Sequence, residues 1–297
     1  MELVTCSFGS LEGFHLQFDV IIVGAGPAGI FSALELTENT PLSLLMLDKG
    51  PDIDQRKCPA SRGLGCINCD PCSLLSGWGG AGAFSDGKLT LSTEVGGWLD
   101  EYCSEEKLAE FISYVDSVYL KFGAPQHLYG TDLDKIDEIG RKASLAGLKL
   151  IPQKLRHLGT EKCADILRKM RSHLKDKVEV RTGTEVKGLM VRNGKVIGVE
   201  TTTGEKFSGK YVVVAPGRSG AEWLTSEVQS LGLKTLNNPV DVGLRVEVLA
   251  PVMEEITSAL YDPKFIYYSK SFDDQVRTFC VTPHGEVITE SYGGIIT

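Results

Sequence analysis

No stretch of this 297-residue chain approaches the ~20 consecutive apolar residues that a membrane-spanning helix needs, so a helical span is excluded. The first eighteen residues lack any Lys or Arg that could form the cationic start of a secretory signal, which makes the cytoplasm the expected compartment. Positive charge is in deficit. With 31 basic against 39 acidic side chains the formal charge is −8, whereas a duplex-binding surface needs the opposite balance to displace counterions from phosphates. Nucleic acid is therefore not an expected partner. The basic cluster Arg168, Lys169, Arg171, Lys175 and Lys177 falls at helix-like spacing and reads as a solvated face. Internal repeats and low-complexity tracts are absent, which removes repeat architectures.

What is present is ordinary globular chemistry, 42% apolar and 24% charged, over a length that suits two domains or one large α/β domain. Residues 1–17 show no clear period and read as an N-terminal arm. Phe18 to Val23 is a short β-branched apolar run. Pro27 then opens a segment with Ile30, Leu34 and Leu36 at helical spacing, and Leu42 to Leu47 is a second buried-strand candidate. Strand, helix and strand within about thirty residues make one right-handed βαβ unit with parallel strands.

From Pro51 to Gly97 the composition turns to Gly, Cys, Ser and Asp without a sustained period, and a loop of that length inside a compact domain points to function. Ser104 caps a predicted helix with Leu108, Phe111, Ile112, Val115 and Val118 on one face, ended by Gly123 and Pro125. A second helix is predicted over about 160–174 with Cys163, Ile166, Leu167 and Met170 inward. Val178 to Val214 alternates strands with the turn dipeptides Asn193-Gly194 and Thr203-Gly204, the pattern of a three-stranded antiparallel meander. Its last segment, Tyr211 to Val214, is wholly apolar and suits a central parallel sheet. After a helix near 221–231, the tail from Asp241 reads as strand-rich, with Val242, Leu244, Val246 and Val248 alternating.

The chemistry concentrates in Gly24-Ala25-Gly26-Pro27-Ala28-Gly29, which follows a strand and opens a helix. Gly24 permits the tight turn, Gly26 lets a pyrophosphate approach the backbone, and Gly29 lets helix pack on strand. Free N–H groups at the helix start favour the anion. Asp48, twenty-four residues after Gly24, is placed to accept hydrogen bonds from a ribose diol. This motif serves FAD and NAD alike.

The strings DVIIVGAGPAG, LDKG, the meander and VVVAPGRSG resemble, in order, the flavoproteins of the glutathione-reductase-like superfamily. CINCDPCSLLSGWGGAGAFSDGKLTL and RTFCVTPHGEV resemble its uncharacterised FAD-dependent dehydrogenase branch. The resemblance runs from Phe18 onward and implies FAD as a tightly held cofactor. It also implies a truncated chain, because proteins of this type close with another Gly-Asp-containing segment that contacts the flavin, and this sequence ends at Gly293-Gly294-Ile295-Ile296-Thr297. Under the resemblance, Gly24, Gly26, Pro27, Ala28 and Gly29 match the pyrophosphate turn, and Asp48 and Lys49 the ribose end. Val186 matches the position whose backbone meets adenine, and Ala215, Pro216 and Gly217 the loop returning toward the ADP half. Gly79, Gly80, Ala81 and Gly82 offer backbone without Cβ hindrance near the flavin or its phosphates, followed by the polar Ser85, Asp86, Gly87 and Lys88.

Eight cysteines in a chain with no secretion signal point to reduced thiols, a metal site or redox chemistry. Cys58, Cys66, Cys69 and Cys72 form C-x7-C-x2-C-x2-C, a spacing open to an iron–sulfur cluster, a structural zinc, a Cys69–Cys72 redox pair or plain loop thiols. Cys280 reads as a buried small hydrophobe, and His284, between Pro283 and Gly285, as a turn residue. Arg218 and Arg245 are candidate anion-binding arginines.

The expected fold is α/β: a Rossmann-like parallel sheet over 18–99 and 156–234 with an antiparallel meander, and a partial, discontinuous substrate or cap domain over 100–155 and 235–297. The expected function is FAD-dependent oxidoreduction of a small molecule by hydride transfer at flavin N5, with a redox partner protein or NAD(P)H as second participant. Two alternatives stand beside it. One is an electron-transfer flavoprotein using a cysteine-bound cluster, the other a non-catalytic truncated nucleotide-binding fragment. No catalytic acid or base is assigned.

Overall fold

The apolar run at Phe18–Val23 forms strand β1, and Gly24 to Gly26 turn it into helix α1, Pro27–Asn39, in which Pro27 occupies the first turn where its missing N–H costs nothing. The computed structural model describes residues 17–59, 66–238 and 240–285, with the backbone of 291–292 and 295–296. The following elements are β2 (Leu44–Leu47), β3 (Lys88–Thr90), α2 (Glu105–Lys121), α3 (Leu133–Leu145), β4 (Lys149–Ile151) and β5 (Leu155–His157). Next come α4 (Thr160–Leu174), β6 (Glu179–Arg181), β7 (Val186–Arg192), β8 (Lys195–Thr201), β9 (Lys206–Val214) and α5 (Ala221–Ser230). Helix α6 (Ala250–Leu260) and strands β10 (Lys264–Tyr268) and β11 (Gln275–Arg277) follow. No helix among the described residues is long and apolar enough to cross a membrane.

Two compact units emerge. The first comprises Met1–Cys58, Cys69–Ala81 and Arg171–Leu236. Its sheet runs β6-β2-β1-β9-β8-β7, with β6, β2, β1 and β9 parallel and β9, β8 and β7 antiparallel. Strand β9 serves both halves: Lys206 to Ser208 pair antiparallel with β8, and Gly209 to Val214 pair parallel with β1. The meander and the parallel sheet are thus one continuous surface. Ile21, Val23, Leu45, Leu47, Val186, Val199 and Phe207 form the core on one face, each contributing roughly 1.5–3 kcal/mol on burial.

The second unit comprises Pro59–Asn68, Gly82–Met170 and Asn237–Thr297. It holds the sheet β11-β10-β4 and the pair β3-β5, both antiparallel. Ile136, Ile139 and Ala143 of α3 pack with Leu260 and Phe265. Arg156 on β5 makes a bidentate pair with Asp116 on α2, at 2.6 and 2.8 Å, and donates to Pro125 O. Helix α2 forms as its Ser104 cap predicts, with the Ser104 hydroxyl accepting from Lys107 N. Its apolar face is only partly covered, since Val118 is buried while Phe111 is 43% exposed.

The tail departs from expectation. Val242, Leu244, Val246 and Val248 lie in no strand and are exposed, because no described segment offers their backbone a ladder; helix α6 follows instead.

Candidate functional site

In the first unit, the tips of β1 and β2 bring the fingerprint together. Gly24 has φ +106°, and a Cβ there would stand 2.1 Å from Ala215 O, so only glycine fits. A Cβ on Gly29 would stand 1.9 Å from Gly24 O, the close helix–strand approach that the third glycine serves. Gly26 differs. A Cβ there would meet nothing nearer than Gly80 Cα at 3.9 Å, and its φ of −77° suits any residue. Protein packing therefore does not explain glycine at 26, where the backbone stays open to close approach from outside. Helix α1 begins there with no side-chain cap and no acidic residue in its first turn, leaving its first N–H groups for an anion.

The other sequence-selected residues of this unit gather around the turn. Ala215 N donates to Val23 O at 2.8 Å, placing Ala215, Pro216 and Gly217 beside Gly24. Gly79 N donates to Ala25 O at 2.8 Å, which seats Gly79, Gly80 and Ala81 against the fingerprint. Gly183 N and Thr184 N donate to Gly50 O and Asp48 O, both at 2.8 Å, tying the segment before Val186 to the end of β2. Lys49, Gly183, Thr184, Glu185, Thr202 and Glu205 line a polar cleft of about 380 Å³ there.

Asp48 is more engaged than its expected ribose role requires. Oδ2 accepts from Ala25 N at 2.8 Å, and Oδ1 accepts from Gly50 N at 2.8 Å and Gly77 N at 2.7 Å. Lys49 Nζ donates to Ser219 O at 3.1 Å. Arg56, which no motif marked, is buried among main-chain carbonyls of residues 73–80.

Gly82, Ser85, Asp86 and Gly87 belong to the second unit and lead to a cluster that sequence reasoning missed. His157 Nε2 lies 2.8 Å from Asp86 Oδ1 and 2.8 Å from the Tyr261 hydroxyl, which donates to Asp86 Oδ2 at 3.0 Å. Burial, then the Asp86 carboxylate, push the Tyr261 phenol above its ordinary range. Tyr261 sits at φ +57°, a costly conformation for a bulky residue. Beside this triangle, Lys88 Nζ donates to Cys280 Sγ at 2.9 Å and Val281 O at 2.8 Å and stands 3.5 Å from Asp262. Lys264 pairs with the same Asp262 at 2.9 Å and donates to Phe279 O. The triangle can hold and relocate a proton among a carboxylate, an imidazole and a phenol.

One cysteine expectation is corrected. Cys280 is exposed rather than buried, with its Sγ accepting from Lys88 Nζ. Among the described residues no group of three or more His, Cys, Asp or Glu side chains is placed to hold an ion, so nothing there supports a metal at Cys58, Cys66, Cys69 and Cys72. Here Cys58 is buried, while Cys66 is exposed with its thiol 3.7 Å from Asn68 Oδ1. Cys66, Cys69 and Cys72 are free thiols. His284 sits in a turn closed by Gly285 N donating to Thr282 O, and Arg245 is exposed.

No protein-family profile matches the chain. An uncharacterised protein of Clostridium beijerinckii is 26% identical over 286 residues, covering 90% of this chain and 45% of that protein, so the chain spans less than half its relative's length. Among solved structures, partial likeness extends to 3-ketosteroid-Δ4-(5α)-dehydrogenase of Rhodococcus jostii, at 16% identity and TM-score 0.41 over 69% of this chain and 47% of the other. Glycine oxidase of Bacillus cereus gives 16% identity and TM-score 0.40 over 72% and 58%. L-Amino acid deaminase of Proteus myxofaciens gives 17% identity and TM-score 0.38 over 69% and 46%.

Proposed function

We propose that this chain is the nucleotide-binding portion of an FAD-dependent oxidoreductase of the glutathione-reductase-like superfamily, working on a small-molecule substrate in the cytoplasm. The observation that carries the reading is Gly26: a glycine that neither packing nor dihedral angle demands, set at the uncapped start of α1 directly after a parallel strand. FAD is favoured over NAD by the resemblance of the stretches around Gly79–Lys88 and Thr278–Gly285 to the dehydrogenase branch.

Bound FAD would supply hydride exchange at its isoalloxazine N5. The chain's own residues do the rest. The backbone of Gly26, Ala28 and Gly29 holds the diphosphate, and the cleft at Lys49 and Gly183 to Glu185 flanks the adenosine end. In the second unit, Asp86, His157 and Tyr261 form a hydrogen-bonded triangle that can take up or release a proton. Nothing among the described residues supports electron relay through a cysteine-bound cluster.

The test is purification without oxygen, followed by the visible spectrum, release and identification of flavin, and iron analysis of the same sample. Flavin bands with FAD released and no stoichiometric iron are expected. A colourless protein that takes up no added FAD would end the flavoenzyme reading for this chain.

A further inference from the structure

Arg56 is 5% exposed, yet its guanidinium is ringed by backbone oxygens. Nε and Nη2 donate to Ser73 O at 3.0 and 2.9 Å, Nη2 also donates to Leu74 O at 2.9 Å, and Nη1 donates to Trp78 O at 2.7 Å and Gly80 O at 2.8 Å. Burial lowers the Arg56 guanidinium to about 10, opposed by the Asp48 carboxylate, so it stays cationic at neutral pH.

A trans peptide holds its C=O and N–H on opposite sides, so a carbonyl fixed on Arg56 aims the next N–H away from it. For the peptide joining Trp78 to Gly79 that N–H goes to Ala25 O at 2.8 Å. Ala25 is fully buried, and its own N–H goes to Asp48 Oδ2 at 2.8 Å. Asp48 Oδ1 in turn accepts from Gly77 N at 2.7 Å, inside the same loop. One cation therefore collects the carbonyls of this loop while one carboxylate collects N–H groups from loop and turn, and both chains of hydrogen bonds meet at Ala25. The next residue is Gly26.

We infer that Arg56 is a positioning residue for the diphosphate-binding turn, acting through the Trp78–Gly79 peptide to fix Ala25 and so the N–H groups from Gly26 to Gly29. The inference rests on the nucleotide-binding reading above and adds to it a residue outside every recognised motif. Preorganised donors bind an anion without the ordering cost that a loose loop would impose.

The experiment compares wild-type chain with Arg56→Lys, which keeps the charge but loses the planar fork that reaches four carbonyls. Affinities for ADP and for riboflavin, which lacks the diphosphate, are measured by titration calorimetry alongside circular dichroism. The expected result is a folded variant whose ADP dissociation constant rises about tenfold or more, the scale of one well-made hydrogen bond, with riboflavin affinity unchanged. Unaltered ADP affinity in the folded variant overturns the inference while leaving the nucleotide-binding reading intact. Wild-type chain that binds neither ADP nor FAD overturns both. Should Arg56→Lys fail to fold, amide exchange of wild type decides: ADP should slow exchange in 73–81 together with 24–29, and protection confined to 24–29 overturns the inference.

Discussion

The Tyr261 hydroxyl lies 2.8 Å from His157 Nε2, and the two rings stack with centroids 4.1 Å apart. Asp86 accepts from the same phenol, so a tyrosine held at positive φ is fixed on one edge by a carboxylate and on its face by an imidazole. Residues 86, 157 and 261 meet although 71 and 104 positions separate them in turn.

Tyr261→Phe removes the donor to Asp86 and should lower stability by about 1–2 kcal/mol in urea unfolding. The pH dependence has a definite sign. A phenol whose folded value is raised contributes stability that is complete below its unfolded value of about 10 and is lost as pH rises beyond it. Wild type should therefore lose stability above that pH more steeply than the phenylalanine variant. Parallel curves would remove burial of this phenol as a contributor.

Cys163 faces the same region, and burial, then Asp86, push its thiol up to about 11. Its stabilising contribution is present below the ordinary value of 9.0 and declines as pH rises through about 11. Because only a thiolate alkylates readily, iodoacetamide at pH 8 should mark exposed Cys66 and Cys280 well before Cys163. Peptide mapping by mass spectrometry reads the order, and early labelling of Cys163 would contradict its burial.

The first unit was legible where local pattern and local partner coincide. β1, α1 and the meander follow from apolar period and turn dipeptides, because β1 meets β2, and the meander strands meet one another, within tens of residues. β9 was readable in its two halves but not as one strand. Asp86, His157 and Tyr261 come from a loop, a strand end and a helix end, and no local period announces their meeting. Arg56 was hidden for another reason: its partners are carbonyls, which every residue type carries. The alternation at Val242 to Val248 misled because period two reports a strand only when a neighbour supplies hydrogen bonds.

The cysteine geometry makes its own prediction. Chelator treatment should leave the unfolding temperature unchanged, and Cys66→Ser should have little effect on it, since Cys66 is exposed and joins no ligand set among the described residues. A fall of several degrees on metal removal, restored by zinc or iron, would reinstate the metal reading.

Asp48→Asn tests the carboxylate that accepts from Ala25, Gly50 and Gly77. The amide presents one acceptor oxygen and turns an NH2 group toward backbone donors, so a loss of about 2–3 kcal/mol is expected by calorimetry. Were Asp48 only a ribose acceptor facing solvent, stability would hold and nucleotide affinity alone would fall.

The three fingerprint glycines should separate cleanly when each is changed to alanine. At Gly24 the new Cβ would overlap Ala215 O at 2.1 Å under a φ of +106°, and at Gly29 it would overlap Gly24 O at 1.9 Å, so both variants must move backbone. Each should lower the unfolding temperature markedly, with losses of about 1–3 kcal/mol or more as for other overpacked sites. At Gly26 the nearest atom is 3.9 Å away and φ is −77°, so Gly26→Ala should unfold near the wild-type temperature. Its methyl group would instead stand where the diphosphate has to approach, and FAD binding should weaken severely. Thermal unfolding and FAD titration on the three variants distinguish a glycine kept for packing from one kept for a ligand. Gly26→Ala that binds FAD as well as wild type would remove the observation on which the nucleotide site stands.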